Sequence, residues 1–183
     1  MSILRQLRLL YLCYFSKPAA DRSLFRAIRK NGIKKIVELD VADGTRARRM
    51  IDVARLTSGE GVHYVGVDLF EGRSASDPPG LSLKAAHQAL RTDGVRVQLV
   101  PGDPSDGLAR SANSLGKVDL LIVPARFDSP SFRRMWFFVP RMLHDRTVVL
   151  IDEALPDGRR RLRRKSASEI EQLVADAAAR RAA

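Results

Sequence analysis

Apolar residues follow two alternating patterns along this chain. Uninterrupted apolar runs, as at 120–123 and 148–151, are typical of strands in a sheet that helices cover on both faces. Between such runs, apolar positions recur every three or four residues, as on one face of a helix. The patterns predict strands at 33–39, 62–69, 95–100, 118–123 and 147–151, and helices at 19–31, 45–57, 81–91, 106–115 and 129–139. This alternation predicts an α/β fold with three layers, in which helices cover both faces of a mainly parallel central sheet.

The N-terminal segment is rich in leucine and aromatic residues but is interrupted by Arg5 and Arg8. Its longest uninterrupted run, 9–15, is far shorter than the roughly 20 apolar residues that span a bilayer, so we expect no transmembrane segment. No small-residue cleavage pattern precedes Lys17, which argues against a secretory signal. We expect an amphipathic helix packed on the domain or on a partner, and a helix lying on a membrane surface is the alternative.

The C-terminal part changes character after the fifth predicted strand. Residues 159–165 are rich in arginine and fit either an edge strand, which charged side chains protect from pairing, or a disordered arm. Residues 168–174 fit a final helix. We therefore divide one domain into an N-terminal helical cover at 1–32, a Rossmann-like body at 33–155 and a basic strand, helix or tail at 156–183.

Charge is concentrated at the two ends of the 183-residue chain, whose formal net charge is +11. Residues 1–37 carry nine Lys and Arg against the single acidic residue Asp21, and residues 156–183 are also basic. Such flanks attract nucleic acid, an anionic surface or an acidic partner, or simply aid solubility. Cys13 is the only cysteine, which excludes an internal disulfide and a cysteine-rich metal site and is typical of a protein in the reducing cytoplasm.

Acidic residues recur where the predicted strands end. Glu38, Asp68 and Asp103 each follow or close an apolar run, whereas Asp106 is expected to cap the helix at 106–115. In open α/β sheets, ligands bind beyond the carboxyl ends of the strands, where the winding of the chain reverses. The sequence therefore predicts a ligand site at this edge of the sheet.

Three short motifs resemble those of class I S-adenosylmethionine-dependent methyltransferases. They are the turn Glu38-Leu39-Asp40-Val41-Ala42-Asp43-Gly44, the strand end Tyr64-Val65-Gly66-Val67-Asp68-Leu69, and the strand end Leu99-Val100-Pro101-Gly102-Asp103-Pro104. The resemblance implies a methyltransferase fold and S-adenosylmethionine as cofactor. It further implies that Glu38 holds the cofactor's amino group and that the turn at Asp40 and Gly44 passes beneath the methionine part of the cofactor. By the same resemblance, Asp68 beside Leu69 binds the ribose hydroxyls, and Asp103 contacts the adenine amino group.

The turn departs from the family pattern at two of its three glycine positions, which Asp40 and Ala42 occupy. Asp40 places a carboxylate near the expected position of the cofactor's own carboxylate. At a surface dielectric this like-charge contact costs about 1 kcal/mol, or roughly a tenfold loss of affinity. Arg46 and Arg48 are the candidates to neutralise it.

The fourth strand end carries neither the Asp-rich segment of metal-dependent O-methyltransferases nor the Asn/Asp-Pro-Pro-Tyr/Phe signature of amino-directed enzymes. Arg126 and Asp128 are our candidates for substrate contact. We expect no metal site, and a magnesium site formed by Asp128 with residues 152–153 is the alternative. No catalytic base is evident, but methyl transfer depends chiefly on in-line positioning of the acceptor.

Two functions of different classes follow. The first is S-adenosylmethionine-dependent methyl transfer to an unidentified acceptor. The second is a catalytically inactive methyltransferase-fold module that binds nucleic acid or an anionic surface through its basic flanks. The sequence leaves open whether the protein forms an oligomer. It disfavours a nicotinamide-dependent oxidoreductase, because no Gly-x-Gly-x-x-Gly pattern follows a strand.

Overall fold

Six strands form a single sheet in the computed structural model, which describes residues 3–124 and 129–182. They are β1 (Lys35–Leu39), β2 (Val62–Asp68), β3 (Val95–Pro101), β4 (Leu120–Val123), β5 (Val148–Ala154) and β6 (Arg160–Arg164). Their order across the sheet is β3-β2-β1-β4-β5-β6. The first five strands run parallel, and β6 pairs antiparallel with β5 at the edge.

Helices cover both faces of this sheet. They are α1 (Ile3–Leu10), α2 (Asp21–Asn31), α3 (Thr45–Ser58), α4 (Leu83–Leu90), α5 (Pro104–Leu115), α6 (Pro130–Met135) and α7 (Ala167–Ala182). A π-helical turn at Tyr11–Phe15 extends α1, and 3₁₀ turns occupy Phe70–Gly72 and Val139–Met142. One buried apolar cluster lies between the sheet and α1 to α4, and a second lies between the sheet and α5 to α7. The three-layer α/β architecture predicted from the apolar pattern is confirmed.

Several boundaries differ from those predicted. Helix α5 begins at Pro104, earlier than expected, because Asp103 caps it. The helix predicted at 129–139 ends at Met135, and a separate 3₁₀ turn carries Pro140, whose ring is incompatible with a helix interior. The arginine-rich segment forms β6, so the strand alternative is the correct one. Within the described residues, no helix is long and apolar enough to cross a membrane.

The winding of the chain reverses between β1 and β4, which are neighbours in the sheet. The chain proceeds outward from β1 through β2 to β3, then returns to the centre at β4 and proceeds the other way. Helix α3, which follows β1, and helix α6, which follows β4, lie on opposite faces of the sheet. In open α/β sheets, a crevice forms at the carboxyl edge where the winding reverses in this way. The six predicted cofactor residues, all of which the structure describes, lie at this edge.

Candidate functional site

The turn after β1 keeps a left-handed backbone at all three of its critical positions. Asp40, Ala42 and Gly44 have φ values of 69°, 54° and 74°. The N–H of Asp40 donates to the carbonyl of Val67 at 2.8 Å, which ties the turn to β2. A left-handed backbone costs residues other than glycine about 1–2 kcal/mol each. The chain therefore retains a turn suited to glycine at two positions where the sequence has none.

Asp68 lies at the end of β2 and is almost fully buried, with 4% of its surface exposed. Its two carboxylate oxygens accept bonds from Arg73 Nη2 at 2.6 and 2.7 Å, and Oδ2 also accepts from the N–H of Ala42 at 2.9 Å. Arg73 also donates to Asp40 at 3.0 Å and to the carbonyl of Pro78 at 2.9 Å. Although burial by itself lowers the pKa of Arg73, Asp40 and Asp68 raise it above its ordinary value. Arg73 thus donates to the same two Asp68 oxygens that, by the family resemblance, bind the ribose hydroxyls.

Glu38 lies beneath the turn and is fully buried. Its carboxylate accepts from the Tyr64 hydroxyl at 2.6 Å and from Arg46 Nε at 2.7 Å. Arg46 also donates to Asp152 at 3.0 Å, and Arg160 pairs with the same carboxylate. Although burial by itself lowers the pKa of Arg46, the Glu38 carboxylate raises it above its ordinary value. This network links the ends of β1 and β5. Burial raises the pKa of Glu38, and the charge of Arg46 and the hydrogen bonds from Tyr64 and Arg46 oppose that rise.

Asp103 caps helix α5. Its Oδ1 accepts from the N–H groups of Ser105 and Asp106 at 2.8 and 3.1 Å and from the Ser131 hydroxyl at 2.5 Å. Burial opposes ionisation, but these bonds lower the pKa of Asp103 below its ordinary value. The prediction that Asp106 is the cap was wrong, because the helix begins before it and Asp106 lies in its first turn.

A cleft of about 210 Å³ brings together four of the six predicted cofactor residues. They are Asp40, Asp68, Leu69 and Asp103, and Phe132 of α6 also lines the cleft. Gly44 instead lines a groove of about 480 Å³ that also contacts α1, and Glu38 lines neither space. A third cavity, of about 460 Å³, shares Asp40 with the cleft. Its lining also includes Asp21, Arg46, Pro124 and Arg160.

Asp40 is neutralised by a residue that the sequence analysis did not select. Arg46 turns inward to Glu38, and Arg48 donates to the carbonyls of Ala89 and Arg91 at 3.0 and 3.1 Å, so neither candidate contacts Asp40 as expected. Arg73 does so instead. Arg73 lies in a segment that is rich in Gly, Ser and Pro and has no hydrophobic periodicity. In the sequence, only its position five residues after Asp68 indicates that the two side chains could pair. The substrate candidates Arg126 and Asp128 lie outside the described residues.

The carboxylates at the end of β5 are occupied by arginines. Glu153 accepts from Arg163 at 2.5 Å and from Arg161 at 3.0 Å, and these bonds lower its pKa. Asp152 pairs with Arg46 and Arg160. In residues 3–124 and 129–182, no group of three His, Cys, Asp or Glu side chains is arranged to hold a metal ion. The same pairs neutralise three arginines of β6, which reduces the positive charge that this flank offers to a nucleic acid.

Comparisons with known proteins identify solved structures that share this fold. No protein-family model matches the sequence, and no curated protein matches it. Among solved structures, the O-methyltransferase from Bacillus cereus in complex with S-adenosylhomocysteine has a TM-score of 0.55 and 16% identity over 100% of this chain and 80% of that one. A protein from Staphylococcus aureus assigned as a caffeoyl-CoA O-methyltransferase has a TM-score of 0.55 and 14% identity over 96% of this chain and 80% of that one.

A third structure, that of the methyltransferase CalH with S-adenosylhomocysteine, has a TM-score of 0.53 and 18% identity over 85% of this chain. The match spans 40% of the CalH chain, so CalH contains a large part with no counterpart here. At such identities a likeness establishes the fold and not the activity. The strand order, the turn after β1 and these neighbours agree, and the chain has the class I methyltransferase fold.

Proposed function

We propose that the protein transfers a methyl group from S-adenosylmethionine to an acceptor whose identity is open. One observation carries the proposal: the left-handed turn at Asp40–Gly44 lies directly beside the carboxylate of Asp68, which lines the 210 Å³ cleft. The turn costs conformational free energy at two non-glycine residues, and close approach of a ligand to this backbone is a reason to retain it. Two of the neighbours with this fold were crystallised with S-adenosylhomocysteine.

The cleft has groups suited to the nucleoside part of the cofactor. Asp68 would accept bonds from the two ribose hydroxyls once Arg73 leaves it. Leu69 and Phe132 provide apolar walls for the adenine ring. The bonds to Asp103 described above all end on Oδ1, so Oδ2 is the atom that would accept the adenine amino group.

Glu38 serves in this proposal as a positioning residue. Its oxygens are engaged by Tyr64 and Arg46, so it fixes the base of the turn rather than holding the cofactor's amino group.

The bound cofactor supplies an electrophilic methyl group, and the protein aligns the acceptor with it. We assign the acceptor to the 460 Å³ cavity beside the turn. Burial raises the pKa of Asp21 in this cavity, which makes its carboxylate the group we assign to accept a proton from the acceptor.

Titration of S-adenosylhomocysteine into the purified protein by calorimetry tests this function. We expect saturable binding, and we expect Asp68→Asn to weaken it about tenfold or more because the ribose hydroxyls lose a charged acceptor. Asp106→Asn is the matched control, since this exposed carboxylate lies at the same edge but outside the cleft. No binding at millimolar ligand, by the wild type or by a variant lacking Arg73, would refute the proposal.

A further inference from the structure

The N-terminal helix is apolar on two sides, and the core covers one of them. Leu9, Leu12 and Cys13 are buried against the domain. The opposite side exposes a continuous set of large apolar side chains, which we term the N-terminal apolar face: Ile3, Leu4, Leu7, Leu10, Tyr11, Tyr14 and Phe15. Leu4 is 76% exposed and Phe15 is 69% exposed, so this face lies well outside the core.

The size of the N-terminal apolar face indicates an interaction surface. Seven large side chains at exposures of 43% to 76% present an apolar area on the order of several hundred Å². Patches of this extent on soluble proteins mark binding sites for proteins or membranes, whereas isolated exposed apolar residues carry no such meaning. All the exposed large apolar residues of the described chain lie in this one segment.

Arginines border the aromatic end of this face. The Arg26 guanidinium lies 5.8 Å from the centre of the Tyr14 ring and donates to the carbonyl of Cys13 at 3.3 Å. Arg22 donates to the carbonyls of Ser16 and Phe15 at 2.7 and 3.4 Å. Backbone carbonyls receive these bonds, and no carboxylate in residues 3–124 and 129–182 forms an ion pair with either arginine. Asp21, the one acidic residue among the first 37, is buried.

We propose that the N-terminal apolar face docks the protein on a membrane surface that contains anionic lipids. The apolar and aromatic side chains enter the interface between headgroups and acyl chains, and the bordering arginines contact lipid phosphates and carboxylates. Tyrosine and arginine suit this position because each has an apolar body and a polar end. The helix lies in the plane of the surface and does not cross the bilayer.

The distribution of charge favours an anionic membrane over a second copy of the chain or a nucleic acid as the binding partner of this face. A second copy of the chain docked through the same face would bring together two segments of net charge +8, which repel each other. A nucleic acid would satisfy the arginines but would leave the seven apolar side chains in water. An anionic membrane provides both an apolar interior and a negative surface.

Vesicle co-sedimentation of the full-length chain tests the proposal. We expect binding to phosphatidylcholine vesicles that contain about 30 mol% phosphatidylserine, and at least tenfold weaker binding to phosphatidylcholine alone. Leu4→Ser with Leu7→Ser should reduce binding at least tenfold, whereas Leu4→Met with Leu7→Met should retain it. Both leucines are exposed, so circular dichroism should show an unchanged fold.

A second pair of variants separates local charge from total charge. Arg22→Gln with Arg26→Gln should weaken binding more than Arg110→Gln with Arg134→Gln, which removes equal charge from α5 and α6 on the other face of the sheet. Absence of binding to the anionic vesicles would overturn the proposal, and so would binding that the serine variants leave unchanged. Concentration-dependent dimers that the serine variants abolish, without vesicle binding, would identify a second copy as the occupant instead.

Discussion

Replacing Arg73 by alanine should strengthen cofactor binding, although it removes a cation from the site. In the observed structure Arg73 donates to both oxygens of Asp68, which ribose must contact in the proposed complex. Charge-assisted hydrogen bonds contribute about 1.5–3 kcal/mol each, and ribose hydroxyls recover only part of this. A net gain of about 1.4–2.8 kcal/mol corresponds to a 10- to 100-fold lower Kd for S-adenosylhomocysteine.

The same substitution should lower the stability of the free protein. Asp68 is 4% exposed and would lose its cationic partner, and breaking a buried ion pair costs about 3–5 kcal/mol. Added ligand should recover much of that loss, because a ligand that binds only the folded state stabilises it. Calorimetry and thermal unfolding with and without S-adenosylhomocysteine measure both effects. Arg55→Ala, an exposed arginine on α3, is the control. A folded Arg73→Ala variant that binds no more tightly than a binding-competent wild type would refute the reasoning.

Three further predictions concern the turn and its supports. Asp40→Gly should lower the Kd for S-adenosylhomocysteine up to about tenfold in calorimetry, because it removes a like charge and one partner of Arg73; equal or weaker binding would contradict this. Gly107→Ala should destabilise the protein by about 1–3 kcal/mol in urea unfolding, since a Cβ there would lie 2.4 Å from Cγ1 of the buried Val67; unchanged stability would show that α5 shifts freely. The pKa of Asp103 is lowered in the folded state, so its contribution to stability is present above the unfolded pKa and is lost as the pH falls through the folded one. Ser131→Ala should therefore destabilise the protein near neutral pH and have a smaller effect near pH ~3, and a pH-independent difference in urea midpoints would exclude this role.

The fold could be predicted from the sequence because its signals are local. Uninterrupted apolar runs mark the parallel strands, and the acidic residues that follow them mark the carboxyl edge. The left-handed turn was also predictable, since Gly44 and the spacing to Asp68 follow the family motif. Aspartate tolerates the left-handed backbone better than most residues, which explains how Asp40 occupies a glycine position.

The ion pairs of the site could not be predicted, because they join distant parts of the chain. Arg46 was expected to neutralise Asp40, yet its guanidinium pairs with the buried Glu38 instead. Arg73 lies in a segment without periodicity, so no pattern indicates that its side chain returns to Asp68. Asp103 and Asp106 are three residues apart, and which of them caps α5 depends on where the helix begins. Apolar spacing does not define the ends of a helix this closely.

The bond between Arg73 and Asp68 has a consequence for the rate of cofactor binding. If the ribose can enter only when the 71–80 segment withdraws Arg73, the competent form is a small fraction of the population and the apparent Kd rises in inverse proportion to that fraction. Association would then be limited by the opening of this segment at high ligand concentration. In stopped-flow measurements the observed rate would reach a plateau for the wild type, whereas it would continue to rise linearly with ligand for Arg73→Ala.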